Sequence, residues 1–278
     1  YYNNWNFDEA LVKKYLLAVS KAKVDIVEIG FRFLPQNKFL GKFAYSEDDF
    51  LNSLSLPSNI SYAVMINASD LINYEDGIEC AIKNLFSKKK DSPIDIIRIA
   101  THSSDVKKCH TIAVALKNLG YQVFLNLMQI STLDVKSIAN IAKDLESWDC
   151  IDTFYFADSL GNMEPELVSS VISTISSKWN GEMGIHTHDN KNQALGNSLK
   201  AIEQGVTYVD ATLLGMGRGA GNAKIEALLV EIVQLGLGKY FPDALFSLAI
   251  KEFSLLQKEY NWGPNIYYFL SAVHGIHP

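Results

Sequence analysis

The chain contains 278 residues, of which 48% are hydrophobic and 20% are charged, and its formal net charge is −6. A chain of this length can bury a sizeable core without disulfide support. The acidic balance, and the lack of basic patches interleaved with aromatic residues, argue against nucleic acid as a partner. No apolar run approaches the roughly 18 residues of a membrane span, so we expect no membrane association.

The three cysteines, Cys80, Cys109 and Cys150, are widely spaced and form no CxxC motif. An odd number of isolated cysteines predicts neither a disulfide framework nor a cysteine metal site. The reducing cytoplasm is therefore the expected compartment.

Strand-like and helix-like segments alternate along the chain. Residues 8–23 carry apolar side chains with the period of a helix, and a strand-like run over residues 24–30 follows. Further helices are predicted over residues 47–54, 74–87, 105–119, 133–145, 164–176, 192–204 and 223–235. Further strands are predicted over residues 60–66, 94–101, 122–128, 153–157, 182–188 and 208–213.

This alternation predicts an α/β fold with a parallel sheet, because several strands are nearly continuous apolar runs, as in sheets covered by helices. We interpret the pattern as a (β/α)8 TIM barrel. Such a barrel needs eight strands and the sequence offers seven, so we expect the first strand upstream of Tyr1, before the helix over residues 8–23. The alternative is an open, doubly wound sheet.

The pattern changes after Gly236. A helix is predicted over residues 240–260 and a short apolar helix over residues 267–273. We therefore expect residues 1–236 to form the barrel domain that carries the catalytic site. Residues 237–278 are expected to form a C-terminal helical extension packed on that barrel.

Two histidines close the predicted strand over residues 182–188. His186 and His188 are two residues apart, so in a strand both imidazoles point to the same face. Two neutral imidazoles on one face form half of a site for a divalent metal. The alternative is a pair of surface or hydrogen-bonded histidines.

Polar side chains concentrate where the predicted strands end, and the active sites of barrels lie at those carboxyl-terminal ends. The candidates are Glu28, Arg32, His102, Asp158 and Ser159.

Structural alternatives stand beside these candidates. Glu28 can pair with Arg98, and Asp158 with Ser159 can form a helix N-cap arrangement. His102 can belong to a capping turn.

A glycine-rich loop, Gly215–Asn222, follows the last predicted strand. It contains a GxGxxA pattern, but a dinucleotide fingerprint belongs at the first strand–helix turn and not after the last strand. Glycines spaced by two residues instead indicate close approach of the backbone to a ligand. The helix that starts just beyond the loop offers N–H groups suited to a carboxylate or phosphate.

The sequence resembles the DRE-TIM metallolyase superfamily, the HMG-CoA lyase-like group. Its members include the 4-hydroxy-2-oxovalerate aldolases, which the chain resembles most closely, the HMG-CoA lyases, and the isopropylmalate and homocitrate synthases. The motifs that carry the resemblance are His186-x-His188-Asp189, Ala194-Leu195-Gly196-Asn197-Ser198, Gly205-Val206-x-x-Val209-Asp210-Ala211 and Gly215-Met216-Gly217-x-Gly219-Ala220-Gly221-Asn222-Ala223.

The resemblance implies a (β/α)8 barrel that uses a divalent metal, Mn²⁺ or Mg²⁺. It assigns His186 and His188 as metal ligands, and Asn222 matches a position that coordinates the metal in some relatives. The family also takes an Asp from the first strand, which is expected upstream of Tyr1.

The resemblance also assigns residues to the substrate. Those expected to bind it are Asp158, Ser159, Gly217, Arg218 and Gly219. Glu28 matches an acidic residue near the reacting carbon, and Arg32 is placed to supply a cation. The aldolases carry a catalytic histidine near the position of Tyr1, so Tyr1 and His102 are candidates for the general base.

One departure separates this chain from the CoA lyases, which carry a catalytic cysteine where Gly219 stands. The resemblance therefore favours a metal-dependent aldolase, a carbon–carbon lyase acting on a 4-hydroxy-2-oxo acid through a metal-bound, pyruvate-type enolate. The alternatives are a Claisen-type acyltransferase that uses acetyl-CoA and a 2-oxo acid, and a non-catalytic barrel. The implied partners are a small 2-oxo acid, a second copy of the chain in a dimer, and an aldehyde dehydrogenase.

Overall fold

The computed structural model describes residues 3–276 of the chain, which divide into two compact units. The described part of the first unit comprises residues 3–127 and 147–153. The described part of the second comprises residues 128–146 and 154–276.

The first unit contains four parallel strands, hydrogen-bonded in the order of the chain. They are β1 (Ile26–Phe31), β2 (Ser61–Asn67), β3 (Ile96–Thr101) and β4 (Gln122–Leu127). Every residue of β3 is buried, and so is every residue of β4 after Gln122. Burial on both faces explains why these strands are continuous apolar runs in the sequence.

One α-helix precedes β1, and four α-helices lie between these strands. They are α1 (Glu9–Ala22), α2 (Asp48–Ser53), α3 (Ala68–Ile72), α4 (Ile78–Leu85) and α5 (Cys109–Asn118). The Asp8 side chain caps α1 by accepting a hydrogen bond from Leu11 N at 2.7 Å, as expected at a helix N-terminus. The sequence did not predict α3, because its five residues are too few to display a helical period.

The second unit contains most of α6 (Val135–Trp148) and of β5 (Thr153–Asp158), then α7 (Pro165–Ser176), β6 (Glu182–Thr187), α8 (Ala194–Glu203), β7 (Tyr208–Val209) and α9 (Ile225–Gln234). Its strands follow the order of the chain, and β6 pairs with β7 in parallel. Within each unit the strands follow the order of the chain. A doubly wound sheet would instead show a reversal of strand order. The predicted α/β class of the TIM-barrel type is confirmed.

The last strand is much shorter than predicted. Residues 208–213 were expected to be extended, but only Tyr208 and Val209 pair with β6. Thr212 pairs instead with the segment that follows the glycine loop. Its N–H donates to Ala223 O at 2.9 Å, and Ile225 N donates to Thr212 O at 3.0 Å. The apolar side chains of residues 213–214 therefore enter a turn and not a sheet.

The predicted helix over residues 240–260 is divided. It consists of α10 (Asp243–Leu248), a π-helical segment (Ala249–Phe253) and α11 (Ser254–Tyr260), and α12 (Ile266–Val273) follows after a break. These helices lie in the second unit together with the glycine loop. A domain boundary at residue 236 stays a prediction. Among residues 3–276, no helix is both long enough and apolar enough to cross a membrane.

Candidate metal centre

His186 lies near the end of β6 and His188 directly follows the strand, so their side chains lie side by side. Their rings lie 5.0 Å apart between centroids and nearly perpendicular, and the two Nε2 atoms are separated by 3.3 Å. The spacing of two residues therefore brings both imidazoles to one point, as the sequence predicts.

Each ring is oriented through its other nitrogen. His186 Nδ1 lies 2.9 Å from Asp210 Oδ2, and His188 Nδ1 lies 3.1 Å from the carbonyl oxygen of Ser159. An ionised carboxylate and a carbonyl only accept hydrogen bonds, so each Nδ1 carries the proton and each Nε2 presents a lone pair.

Two lone pairs facing each other at 3.3 Å repel unless a cation or a proton lies between them. Metal-binding histidines typically donate a hydrogen bond from one ring nitrogen, as Nδ1 does here, and bind the metal through the lone pair of the other. The histidine pair therefore fits a divalent metal of the kind that imidazole binds.

Asn222 lies opposite His188 in an isolated antiparallel bridge, and Asp189 N donates to Gly221 O at 2.9 Å beside it. Directly opposed residues of such a bridge carry their side chains on the same face. The Asn222 amide nitrogen donates to Met216 O at 3.2 Å, so its Oδ1 is the atom suited to coordinate a cation. This placement agrees with the expected grouping of Asn222 with the histidines.

The glycine loop is packed closely around Asn222. A Cβ at Gly217 would lie 2.7 Å from Asn222 Nδ2, so a larger residue there would displace the amide. Gly215 and Gly221 have φ values of 66° and 78°, a region that favours glycine. The loop glycines are therefore required by the backbone around Asn222. Arg218 is exposed.

Asp158 ends β5 and is buried, with 1% of its surface exposed. Its two carboxylate oxygens accept hydrogen bonds from Asn162 N at 3.0 Å and Met163 N at 3.2 Å. Burial raises the pKa of Asp158 to about 6, although these backbone N–H groups and the nearby His186 lower it. Asp158 therefore caps a turn, and the helix N-cap considered from the sequence is wrong, because α7 begins only at Pro165 and its N-cap residue is Glu164.

Ser159 has two roles in this geometry. Its carbonyl oxygen orients His188, and its hydroxyl oxygen accepts a hydrogen bond from Gln129 N at 2.8 Å. Asp158 and Ser159 thus connect the end of β5 to the histidine pair on β6. Their predicted contact with a substrate stays a prediction.

The first unit contains the other candidates. Glu28 accepts a hydrogen bond from Arg98 Nη1 at 2.9 Å, and Arg98 is 5% exposed. The ion-pair alternative for Glu28 is therefore present. Glu28 lies on β1 and Arg98 on β3, so the pair spans β2. A role near the reacting carbon stays a prediction.

Arg32 is buried in a network within the first unit. Its guanidinium donates to Asp48 Oδ1 at 2.7 Å and to Leu85 O at 3.3 Å, and it stacks on the ring of Phe86. Asp48 also accepts hydrogen bonds from the hydroxyls of Ser87 and Ser92. These contacts account for Arg32 without a catalytic role, which stays a prediction.

His102 is exposed after β3, and its carbonyl oxygen accepts a hydrogen bond from Asp105 N at 3.0 Å. This is the capping turn that the sequence offered as the alternative to catalysis. Tyr1 lies outside the described residues.

No three His, Cys, Asp or Glu side chains within residues 3–276 converge closely enough to hold a metal. The donors that the second unit brings together are His186, His188 and the amide oxygen of Asn222. Asp210, which orients His186, was absent from the predicted site. Its signal was its place directly after the last strand, within the quoted Val209-Asp210-Ala211 motif.

Comparison with known families and sequences gives consistent results. A family model described as HMGL-like matches residues 92–252. The chain is 34% identical over 155 residues to a 4-hydroxy-2-oxovalerate aldolase of Geobacillus genomosp. 3, which covers 56% of this chain and 46% of that protein. It is 37% identical over 143 residues to the protein of that name from Carboxydothermus hydrogenoformans, covering 51% and 42%. The chain thus spans less than half of the length of these relatives.

Solved structures extend the similarity to the whole chain. The N-terminal domain of a candidate aldolase from Bacteroides vulgatus is 30% identical, with a TM-score of 0.90 over 100% of this chain and 90% of that one. The HMG-CoA lyase of Bacillus subtilis is 14% identical, with a TM-score of 0.73 over 96% of this chain and 93% of that one. The second similarity concerns the fold alone.

Proposed function

The chain belongs to the HMGL-like family, and we propose from this membership that it is a divalent-metal-dependent aldolase. Its reaction is the cleavage or formation of a carbon–carbon bond in a 4-hydroxy-2-oxo acid. The observation that carries the proposal is the pair of imidazoles whose Nε2 atoms face each other while Asp210 and Ser159 hold the opposite nitrogens. The names of the curated relatives support the substrate class.

The proposed metal ligands are His186, His188 and Asn222, and the proposed ion is Mn²⁺ or Mg²⁺. When bound, such an ion acts as a Lewis acid that stabilises negative charge developing on the oxygens of a 2-oxo acid. In the neutral imidazoles, Asp210 and Ser159 O hold the ring proton on Nδ1, which leaves Nε2 as the nitrogen that can bind metal. Gly217 leaves room for the Asn222 amide.

The proposed substrate-binding residues belong to the second unit, as the proposed metal ligands do. Ser159 offers its hydroxyl, and Arg218, exposed on the glycine loop, offers a positive charge to the carboxylate of the acid. Gly217 and Gly219 allow the backbone to approach the ligand closely. Asp158 holds the turn after β5 that positions Ser159.

Cleavage of a 4-hydroxy-2-oxo acid requires removal of a proton from the hydroxyl group, which is a general-base task. His102 and Tyr1 are the candidates for this base. Glu28, which Arg98 holds through one oxygen, is proposed to lie near the reacting carbon, and Arg32 to supply a cation.

The proposed partners are small. A 2-oxo acid is the expected substrate, and a homodimer and an aldehyde dehydrogenase that receives the aldehyde are proposed from the family. Cytoplasmic localisation is proposed because Cys80, Cys109 and Cys150 are all unpaired, as expected for a reducing compartment.

The test is pyruvate release from 4-hydroxy-2-oxopentanoate with added Mn²⁺, comparing the natural full-length protein with its His186→Ala and His188→Ala variants. Both substitutions should reduce turnover to background. The control is His110→Ala, because His110 is an exposed histidine of the first unit that packs on Trp148. Turnover that survives loss of both imidazoles would contradict the proposal. Thiol release that requires acetyl-CoA would indicate the acyltransferase instead.

A further inference from the structure

Leu214 adopts a conformation that is uncommon for a residue with a side chain. Its φ and ψ angles are 52° and 25°, in the left-handed region where leucine is disfavoured. It stands immediately before Gly215, the first residue of the glycine loop. Such a conformation persists only where surrounding contacts enforce it.

Both sides of Leu214 are held by side chains from other elements. Its N–H donates to Glu226 Oε2 at 3.1 Å, from the first turn of α9. Its carbonyl oxygen accepts a hydrogen bond from the indole nitrogen of Trp262 at 3.0 Å. Trp262 is buried, with 4% of its surface exposed, and lies in the break between α11 and α12.

The peptide that Trp262 holds is connected directly to Asn222. The carbonyl oxygen of Gly215 accepts a hydrogen bond from Asn222 N at 3.0 Å. A Cβ at Gly221 would collide with that same oxygen, so the two segments of the loop are in close contact. The orientation of residues 214–215 therefore sets the backbone position of Asn222 opposite His188.

A second contact supports this connection. Gly263 N, the residue after Trp262, donates to Gly219 O at 3.1 Å. The segment before α12 thus holds the residue that precedes the glycine loop and a residue within it, each by a carbonyl oxygen. Neither Trp262 nor Gly263 contacts the histidine pair among the hydrogen bonds described above.

We propose that Trp262 is a positioning residue of the metal centre, whose indole N–H keeps Leu214 left-handed and thereby places Asn222 beside His188. This inference rests on the proposed function, because it takes His186, His188 and Asn222 as the metal ligands. The indole donates to Leu214 O and acts on Asn222 through Gly215.

The chain provides a matched control for this contact. Trp179 is also buried in the second unit, with 6% exposure, and its indole donates to Glu182 O at 2.9 Å. That bond lies at the amino-terminal start of β6, away from the glycine loop. Tryptophan-to-phenylalanine substitution at either position removes one indole–carbonyl hydrogen bond and keeps an aromatic ring.

The experiment compares Trp262→Phe with Trp179→Phe in the full chain, using two measurements. The first is amide hydrogen exchange at Asn222 in metal-free protein, which should become at least tenfold faster in Trp262→Phe only. The second is Mn²⁺ affinity by calorimetry, which should weaken about tenfold in Trp262→Phe and stay at the wild-type value in Trp179→Phe. Melting temperatures of the two variants should fall by similar amounts.

A rescue separates positioning from general packing. Glycine adopts a φ of 52° without strain, so adding Leu214→Gly to Trp262→Phe should restore slow exchange at Asn222 and wild-type Mn²⁺ affinity. This double variant also carries the test if the single variant does not fold.

Three outcomes contradict the inference: equal exchange and affinity in the two phenylalanine variants, wild-type values for Trp262→Phe, or no rescue by Leu214→Gly. If the wild-type protein itself binds no Mn²⁺, the metal centre and the proposed function are wrong. The exchange rate at Asn222 in metal-free protein then decides alone whether Trp262 holds the loop.

Discussion

Asp210 is the residue whose substitution tests the histidine pair most directly. Its carboxylate lies 2.9 Å from His186 Nδ1, and the two side chains are 20% and 24% exposed. Removing this acceptor frees the imidazole to rotate and to place its proton on Nε2, the nitrogen that we assign to the metal. We therefore expect Asp210→Ala to weaken Mn²⁺ binding without removing a ligand.

The magnitude follows from the kind of contact that is lost. Loss of a hydrogen-bonding partner behind a metal-binding histidine lowers metal affinity by about 10–100-fold, which corresponds to about 1.4–2.8 kcal/mol. Asp210→Asn keeps an amide oxygen that still accepts from Nδ1 and loses only the charge, so about tenfold is expected. Asp210→Ala loses both charge and acceptor, so about a hundredfold is expected.

Isothermal calorimetry with Mn²⁺ at pH 7.5 measures both affinities. The control is Glu203→Gln, which removes one negative charge from an exposed carboxylate of the second unit that pairs with Lys200. That variant should bind Mn²⁺ like the wild type. Wild-type affinity in Asp210→Ala, or equal losses in all three variants, would refute the assignment of His186 Nε2 as a ligand.

Three further predictions concern stability and reactivity. Arg32→Ala should lower the free energy of unfolding in urea by about 3 kcal/mol, because it leaves a half-buried carboxylate unpaired, whereas Glu9→Ala, in an exposed pair, should cost less than about 1 kcal/mol. Burial raises the pKa of Asp158 from 3.8 to about 6. Its protonated carboxyl therefore stabilises the fold below pH 4, and this contribution of about 3 kcal/mol is lost as the pH rises through 6. Asp158→Asn should make the free energy of unfolding less dependent on pH across that window. Iodoacetamide at pH 8, followed by peptide mass spectrometry, should label the half-exposed Cys80 but not the buried Cys109, whose pKa burial raises to about 11.

Much of the fold could be predicted from the sequence because it depends on periodic burial. Parallel strands such as β3 are buried on both faces, which requires a continuous apolar run, and the amphipathic helices leave a period of their own. The histidine pair was predictable for the same reason, since alternation in a strand places residues two apart on one face. The pairing of the two histidines could therefore be predicted from local geometry, whereas Asn222 entered the predicted site only through the family resemblance.

The remainder depends on contacts between residues far apart in sequence, which no period records. Asp210 was visible in a motif, but its hydrogen bond to His186 exists only once β6 and β7 are aligned. Leu214 carries no sequence signal for a left-handed conformation, because leucine disfavours it. Its neighbours made residues 208–213 resemble a longer strand, and the contact with Ala223 ended the strand early.

The contact between Trp262 and Leu214 has a consequence for synthesis of the protein. The two residues are separated by 48 positions, and all of β5, β6 and β7 precede the tryptophan in the chain. Chains emerge from the ribosome with the N-terminus first, so both histidines leave it well before the residue that holds the glycine loop. A nascent chain therefore presents its imidazoles early and acquires the fixed loop around Asn222 only after Trp262 has been synthesised.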